Sequence, residues 1–187
     1  MKYILIDADT GIDDSIAILF ALKRKDVRVV GITTGFGNTN ARQAADNSLR
    51  LIQLSGVDYE VPVAVGATGP LVGEWEGPVP HIHGHNGIGD AQIPASSQQP
   101  LEEAACDFII RMAKEYEGKL TLVTLGRMTN LALALQKEPE LPRLVKNVVF
   151  MGGTYHAPGN VTPVAEANIA GDPEAADQVL QAGFDIT

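Results

Sequence analysis

Four carboxylates, Asp7, Asp9, Asp13 and Asp14, fall within eight residues, directly after the apolar run Tyr3-Ile4-Leu5-Ile6. Like charges this close repel and raise one another's pKa, so the cluster is costly unless it stays solvated or meets a cation. A bivalent metal is the simplest agent that makes it favourable. Oxygen donors without paired His or Cys nearby favour calcium or magnesium over zinc. Such a site points to a metal-dependent enzyme rather than a plain binding domain. The plain alternative, helix caps and solvated turn residues, accommodates one or two acids better than four.

These acids sit where a strand hands over to a helix. The short continuous apolar run Lys2 to Ile6 predicts a strand covered on both faces. Asp13 to Lys25 predicts a helix, apolar almost all round and therefore well buried, with acids at its start and Lys23-Arg24-Lys25 at its end. Further strands are expected at Val27 to Thr34, Val61 to Val65 (Pro62 marking an edge or a strand start), Leu120 to Leu125 and Asn147 to Phe150. Helices are expected at Asn40 to Leu54, Leu101 to Glu117, from Thr129, and from Pro173 to Ala182 with Gly183 as cap. The alternation predicts an α/β fold: an open, mostly parallel, Rossmann-like sheet with helices on both faces. Ligands bind such sheets beyond the carboxyl ends of the strands. The polar stretches Asp7 to Asp14, Gly35 to Asn38, Gly126 to Asn130 and Gly152 to Asn168 each follow a strand, so all four should meet in one crevice.

Length and composition agree with one α/β domain over residues 1–187. Hydrophobic residues make up 45% and charged residues 20%, ordinary for a globular chain. The net charge of −9 argues against nucleic acid or an anionic membrane as partner. The single cysteine, Cys106, excludes an internal disulfide and is expected to be buried and inert. No signal peptide or membrane-spanning run is evident, so a cytoplasmic location is expected. Residues 66–99 hold many glycines and prolines, three of the four histidines and the only tryptophan. Such a long loop predicts a lid over the site. Phe184 to Thr187 reads as the start of another strand, so a further C-terminal portion is expected.

Two metal-loop patterns compare poorly with the acidic run. An EF-hand loop needs an acid at Gly11, glycine at Ile12 and a late Glu at Ile18. A haloacid-dehalogenase-type magnesium phosphatase would use Asp7 as nucleophile, but Gly11 stands where Thr or Val is needed; this remains the alternative. A third comparison fits. Asp7-Ala8-Asp9-Thr10-Gly11-Ile12-Asp13-Asp14 closely resembles the signature of the inosine–uridine preferring nucleoside hydrolases. The resemblance continues through Gly37-Asn38, His83-Gly84, Leu125-Gly126-Arg127-Met128-Thr129-Asn130, Met151-Gly152-Gly153, Pro158 to Pro163, Glu166-Ala167-Asn168 and Asp172 to Ala176.

The resemblance implies calcium-dependent hydrolysis of the N-glycosidic bond of ribonucleosides, in nucleoside salvage, by a homo-oligomer (dimer or tetramer). It implies that Asp9 binds calcium and acts as general base on the attacking water. It makes Asp14 and the backbone carbonyl of Thr129 further calcium ligands. Asp13, Asn38, Asn160, Glu166 and Asn168 would bind the ribose, His83 would lie near the base, and Asp7 would orient the cluster. Read without the acids, Asn160, Glu166 and Asn168 are a solvated loop with a helix cap, and Asn38 is a turn residue.

The chain departs from the family at Thr10, Asn86 and Ala167, and at Arg127, where a Pro or small residue is usual. Arg127 either points outward or, turned inward, competes with the metal. A catalytically inactive nucleoside- or ribose-binding protein that keeps the sugar site is the alternative of a different class.

Overall fold

The computed structural model describes residues 1–187. The elements run β1 (Lys2–Ala8), α1 (Ile12–Lys23), β2 (Val27–Thr34), α2 (Ala41–Ser55), β3 (Val63–Val65), α3 (Pro80–His83) and α4 (Ala105–Glu115). They continue with β4 (Leu120–Thr124), α5 (Thr129–Lys137), α6 (Leu141–Leu144), β5 (Asn147–Phe150), α7 (Ala167–Gly171) and α8 (Pro173–Gln181). The five strands form one sheet in the order β3-β2-β1-β4-β5, and every pairing is parallel. The chain winds outward from β1 through β2 to β3, then returns to the other side of β1 with β4 and β5. The strand order therefore reverses between β1 and β4, where an open α/β sheet leaves a crevice at its carboxyl edge.

Strand parity assigns β1 to two cores. Leu5 joins the cluster under α4, α5 and α8, with Phe108, Leu122, Leu131, Val148 and Val179. Ile6 and Ala8 join the cluster under α1 and α2, with Ile18, Val29, Ile32 and Leu49. Each fully buried side chain of this size contributes about 1.5–3 kcal/mol. Gly31 is required by packing: a Cβ there would stand 2.4 Å from the Phe108 ring.

The strand expectations hold, and β3 lies at the sheet edge. At the C-terminus, Val148 N–H donates to Asp185 O at 2.8 Å and Thr187 N–H to Val148 O at 2.9 Å. Residues 185–187 thus begin a further parallel strand beside β5.

Several expectations are corrected. The first helix is not buried all round: Ile12, Ile16 and Phe20 are 39%, 67% and 66% exposed. Its inner face packs on α2 and β2, and nothing covers its outer face. The fourth helix starts at Ala105, not near Leu101, because Leu101 N–H is drawn to Val63 O at the edge of β3 (2.8 Å). Cys106 is half-buried at the margin of the core rather than enclosed. The stretch Gly152 to Asn168 runs into a short helix, α7, and Gly183, with φ 85° directly after Ala182, ends α8 as expected. No helix is long and apolar enough to cross a membrane.

Residues 66–99 have one regular element, α3, yet are tied down at many points. Ala67 N–H donates to Asn130 Oδ1 (2.8 Å), Leu71 N–H to Asp172 Oδ2 (3.0 Å), and Asn47 Nδ2 to Asn86 O (2.9 Å). Gln98 Nε2 donates to Val61 O (2.9 Å).

Candidate active site

The four polar stretches do converge. They line a cleft of about 560 Å3 at the carboxyl edge of the sheet, bordered by Asp9, Asp13, Asn38, His83, Leu125, Arg127, Asn160, Glu166 and Asn168. Trp75 closes one side, with Glu74 and Glu76 beside it.

Three buried carboxylates cluster at the floor, and of these only Asp9 borders the cleft itself. Asp7, near the end of β1, is 4% exposed. Its Oδ1 accepts from Thr33 Oγ1 (2.6 Å) and Asn130 Nδ2 (2.8 Å). Burial pushes its pKa up from 3.8 to about 6. Asp7 does not border the cleft. The phosphatase alternative, which needs it as an accessible nucleophile, has no geometry here.

Asp9, just past the strand, is 2% exposed. Asn38 N–H donates to its Oδ2 at 2.6 Å, whereas its Oδ1 is buried without any partner. Burial raises its pKa. Asp14, in the first turn of α1, is 3% exposed. Its Oδ2 accepts from Gly11 N–H (2.7 Å) and Asn38 Nδ2 (3.1 Å). Burial, then the neighbouring charge of Asp9, pushes its pKa to about 7. Asn38 therefore joins both carboxylates, one through its backbone and one through its side chain. Only a residue in the β2–α2 turn reaches both.

The rim is built by local chemistry. Glu166 caps α7: its Oε1 accepts from Asn168 N–H and its Oε2 from Gly153 N–H, both at 2.9 Å. Asn168 Nδ2 donates to Leu125 O (2.8 Å) and Met151 O (3.1 Å). Asn160 Oδ1 accepts from Ala167 N–H at 2.9 Å. The helix-cap reading of this segment is thus realised, and the same residues face the cleft. His83 Nδ1 accepts from Ile12 N–H at 3.2 Å, which leaves Nε2 as the protonated nitrogen of the neutral ring. Asp13 is exposed at the mouth.

Thr129 is the first residue of α5, and its hydroxyl donates to Asp172 Oδ2 at 2.6 Å. Leu125 borders the cleft from the end of β4, and its carbonyl accepts from Asn168 Nδ2 at 2.8 Å.

Arg127 turns inward. Its Nη1 donates to Phe36 O at 3.0 Å and lies 3.9 Å from Asp9 Oδ2. Its guanidinium stacks on the Phe36 ring, Cζ to centroid 4.8 Å, and Nε is buried without a partner. Burial lowers its pKa.

Asp9 and Asp14 are the converging side-chain carboxylates, and no third His, Cys, Asp or Glu joins them as a metal cluster. They give an oxygen-only donor set, which backbone carbonyls, water and substrate hydroxyls can complete around a hard cation. The unpartnered Asp9 Oδ1 is the atom such a cation, or the proton of a water, would satisfy.

Known proteins match this arrangement. Residues 4–187 match the family model described as inosine-uridine preferring nucleoside hydrolase. Uridine nucleosidase 1 of Arabidopsis thaliana is 44% identical over 184 residues, covering 98% of this chain and 54% of that protein. The inosine-uridine preferring nucleoside hydrolase of Crithidia fasciculata is 39% identical over 188 residues, covering 100% and 59%. The solved structure of a purine-preferring ribonucleoside hydrolase from Gardnerella vaginalis superposes with a TM-score of 0.95 at 39% identity, covering 99% of this chain and 59% of that one. The chain therefore spans little more than half the length of the curated relatives it matches.

Proposed function

Since this chain belongs to the inosine–uridine preferring nucleoside hydrolase family, we propose that its cleft hydrolyses the N-glycosidic bond of ribonucleosides, giving ribose and free base. The observation that carries this reading is Asp9 Oδ1: a buried carboxylate oxygen with no partner, at the floor of a cleft rimmed by sugar-compatible amides and acids.

Asp9 and Asp14, with the Thr129 carbonyl, would hold calcium. When bound, calcium supplies Lewis acidity toward water and a fixed positive charge on the floor. Asp9 Oδ1 takes the proton of the attacking water. Asn38 holds Oδ2 from behind, so the carboxylate cannot rotate away from the cleft. Bond cleavage leaves an oxocarbenium-like ribosyl cation, as in glycoside hydrolysis generally. The acids Asp9, Asp13 and Glu166 surround that charge and favour it electrostatically. Asn160 Nδ2 offers a donor and Asn168 Oδ1 an acceptor to ribose hydroxyls. His83 Nε2–H faces the side on which the base would leave.

The test is ribose release from inosine, uridine and adenosine, with added calcium and with EGTA. Chelator-sensitive release that disappears in Asp9→Ala supports the reading. Ribose binding without turnover would instead favour an inactive binding protein.

A further inference from the structure

Arg127 is the one cation among the acids of the floor, and its surroundings are built for it. A Cβ on Gly37 or on Gly171 would overlap the guanidinium. Two bare glycine backbones, from loops distant in sequence, therefore form a slot, and the Phe36 ring is its base. The group is only 16% exposed and spends one hydrogen bond on Phe36 O. Its Nε finds no acceptor, although Asp9 Oδ1, equally unpartnered, lies in the same cleft. A cation and an anion are thus held as a loose ion pair with no hydrogen bond between them. Their 3.9 Å separation at Oδ2 leaves Oδ1 free.

We propose that Arg127 is a tethered counter-cation of the acidic floor, against which calcium must compete for Asp9. The guanidinium offsets the buried carboxylates in the metal-free protein and lowers the affinity for calcium. Repulsion between a singly and a doubly charged cation a few ångströms apart exceeds a tenfold change in affinity at any effective permittivity appropriate to a protein site. Movement of the flexible arm out of its slot relieves part of it. The proposal rests on the calcium reading of the floor.

Calcium titration calorimetry on the chain, alongside Arg127→Met, Arg127→Gln and Arg127→Lys, tests it. The two neutral variants should bind calcium at least about tenfold more tightly than the parent, and the lysine variant within about threefold of it. In EGTA the neutral variants should melt below the parent and recover more on adding calcium. A measurement on the unmutated chain stands independently of variant folding. Trp75, the only tryptophan, packs edge-on against Phe36 with centroids 5.9 Å apart, so calcium that displaces the guanidinium should alter its emission. Equal or weaker calcium binding by both neutral variants overturns the competition and leaves the calcium reading standing. So does calcium binding by the parent with unchanged Trp75 emission. No calcium binding by any of the four proteins overturns both.

Discussion

On the floor of the cleft, Asp7, Asp9 and Asp14 are between 2% and 4% exposed. They are held by partners from three other parts of the chain: Thr33 and Asn38 after or within β2, and Asn130 on α5. On the rim, Asp13 and Asn160 are exposed, and Glu166 and Asn168 bond mainly to backbone within about fifteen residues or at the end of β4. The floor is a product of the sheet: its geometry exists only when β1, β2 and β4 are in register. The rim is a product of local turns and one helix cap. Chemistry that tolerates no displacement is placed on the first, and contacts that adapt to a sugar on the second.

The largest separation between the two regions should come from Asp9→Ala. We expect ribose release to fall by at least about 1,000-fold, measured as reducing sugar, with the fold retained by circular dichroism. A floor residue whose loss costs less than tenfold would erase the distinction.

Next in size is the pH response of the metal-free protein. The native pKa of Asp7, about 6, lies above its ordinary 3.8. Between those values the native state keeps a proton that the unfolded chain releases, so stability falls as pH rises from about 4 to about 6. The shift of some two units corresponds to about 3 kcal/mol, or on the order of 6–12 °C in melting temperature for a chain of this size. Thermal scans in EGTA across that range check it: Asp7→Asn should lose the Asp7 part of the slope and keep the part set by Asp9 and Asp14, whose pKa values burial also raises.

Asp7→Ala leaves the Thr33 hydroxyl without its acceptor and should cost about 1–3 kcal/mol. Asp7→Asn keeps an acceptor oxygen, removes a buried charge, and should match or exceed the parent in urea denaturation. The smallest effect belongs to the rim. Asn160→Ala should raise KM about tenfold, roughly 1.4 kcal/mol, with kcat changed by less than threefold. A kcat loss as large as that of Asp9→Ala would move Asn160 to the floor's class.

Much of this was legible in the chain. Strand identity followed from short apolar runs, and four polar strand ends predicted one crevice, which the parallel sheet delivers. What escaped depended on contacts between distant segments. The inward turn of Arg127 needs a slot made by Gly37 and Gly171, and neither glycine announces a guanidinium. The exposed face of α1 escaped because hydropathy records what a helix can bury, not what is present to cover it.

The anchors of residues 66–99 set a clock. Leu71 is fixed to Asp172 and Val79 N–H to Asn38 O, so the span free of hydrogen bonds to the body is residues 72–78, with Trp75 at its centre. Seven residues pinned at both ends rearrange in nanoseconds to microseconds. For the proposed reaction at an ordinary turnover of about 10 per second, which is far slower, ligand traffic past Trp75 would be at equilibrium within each cycle.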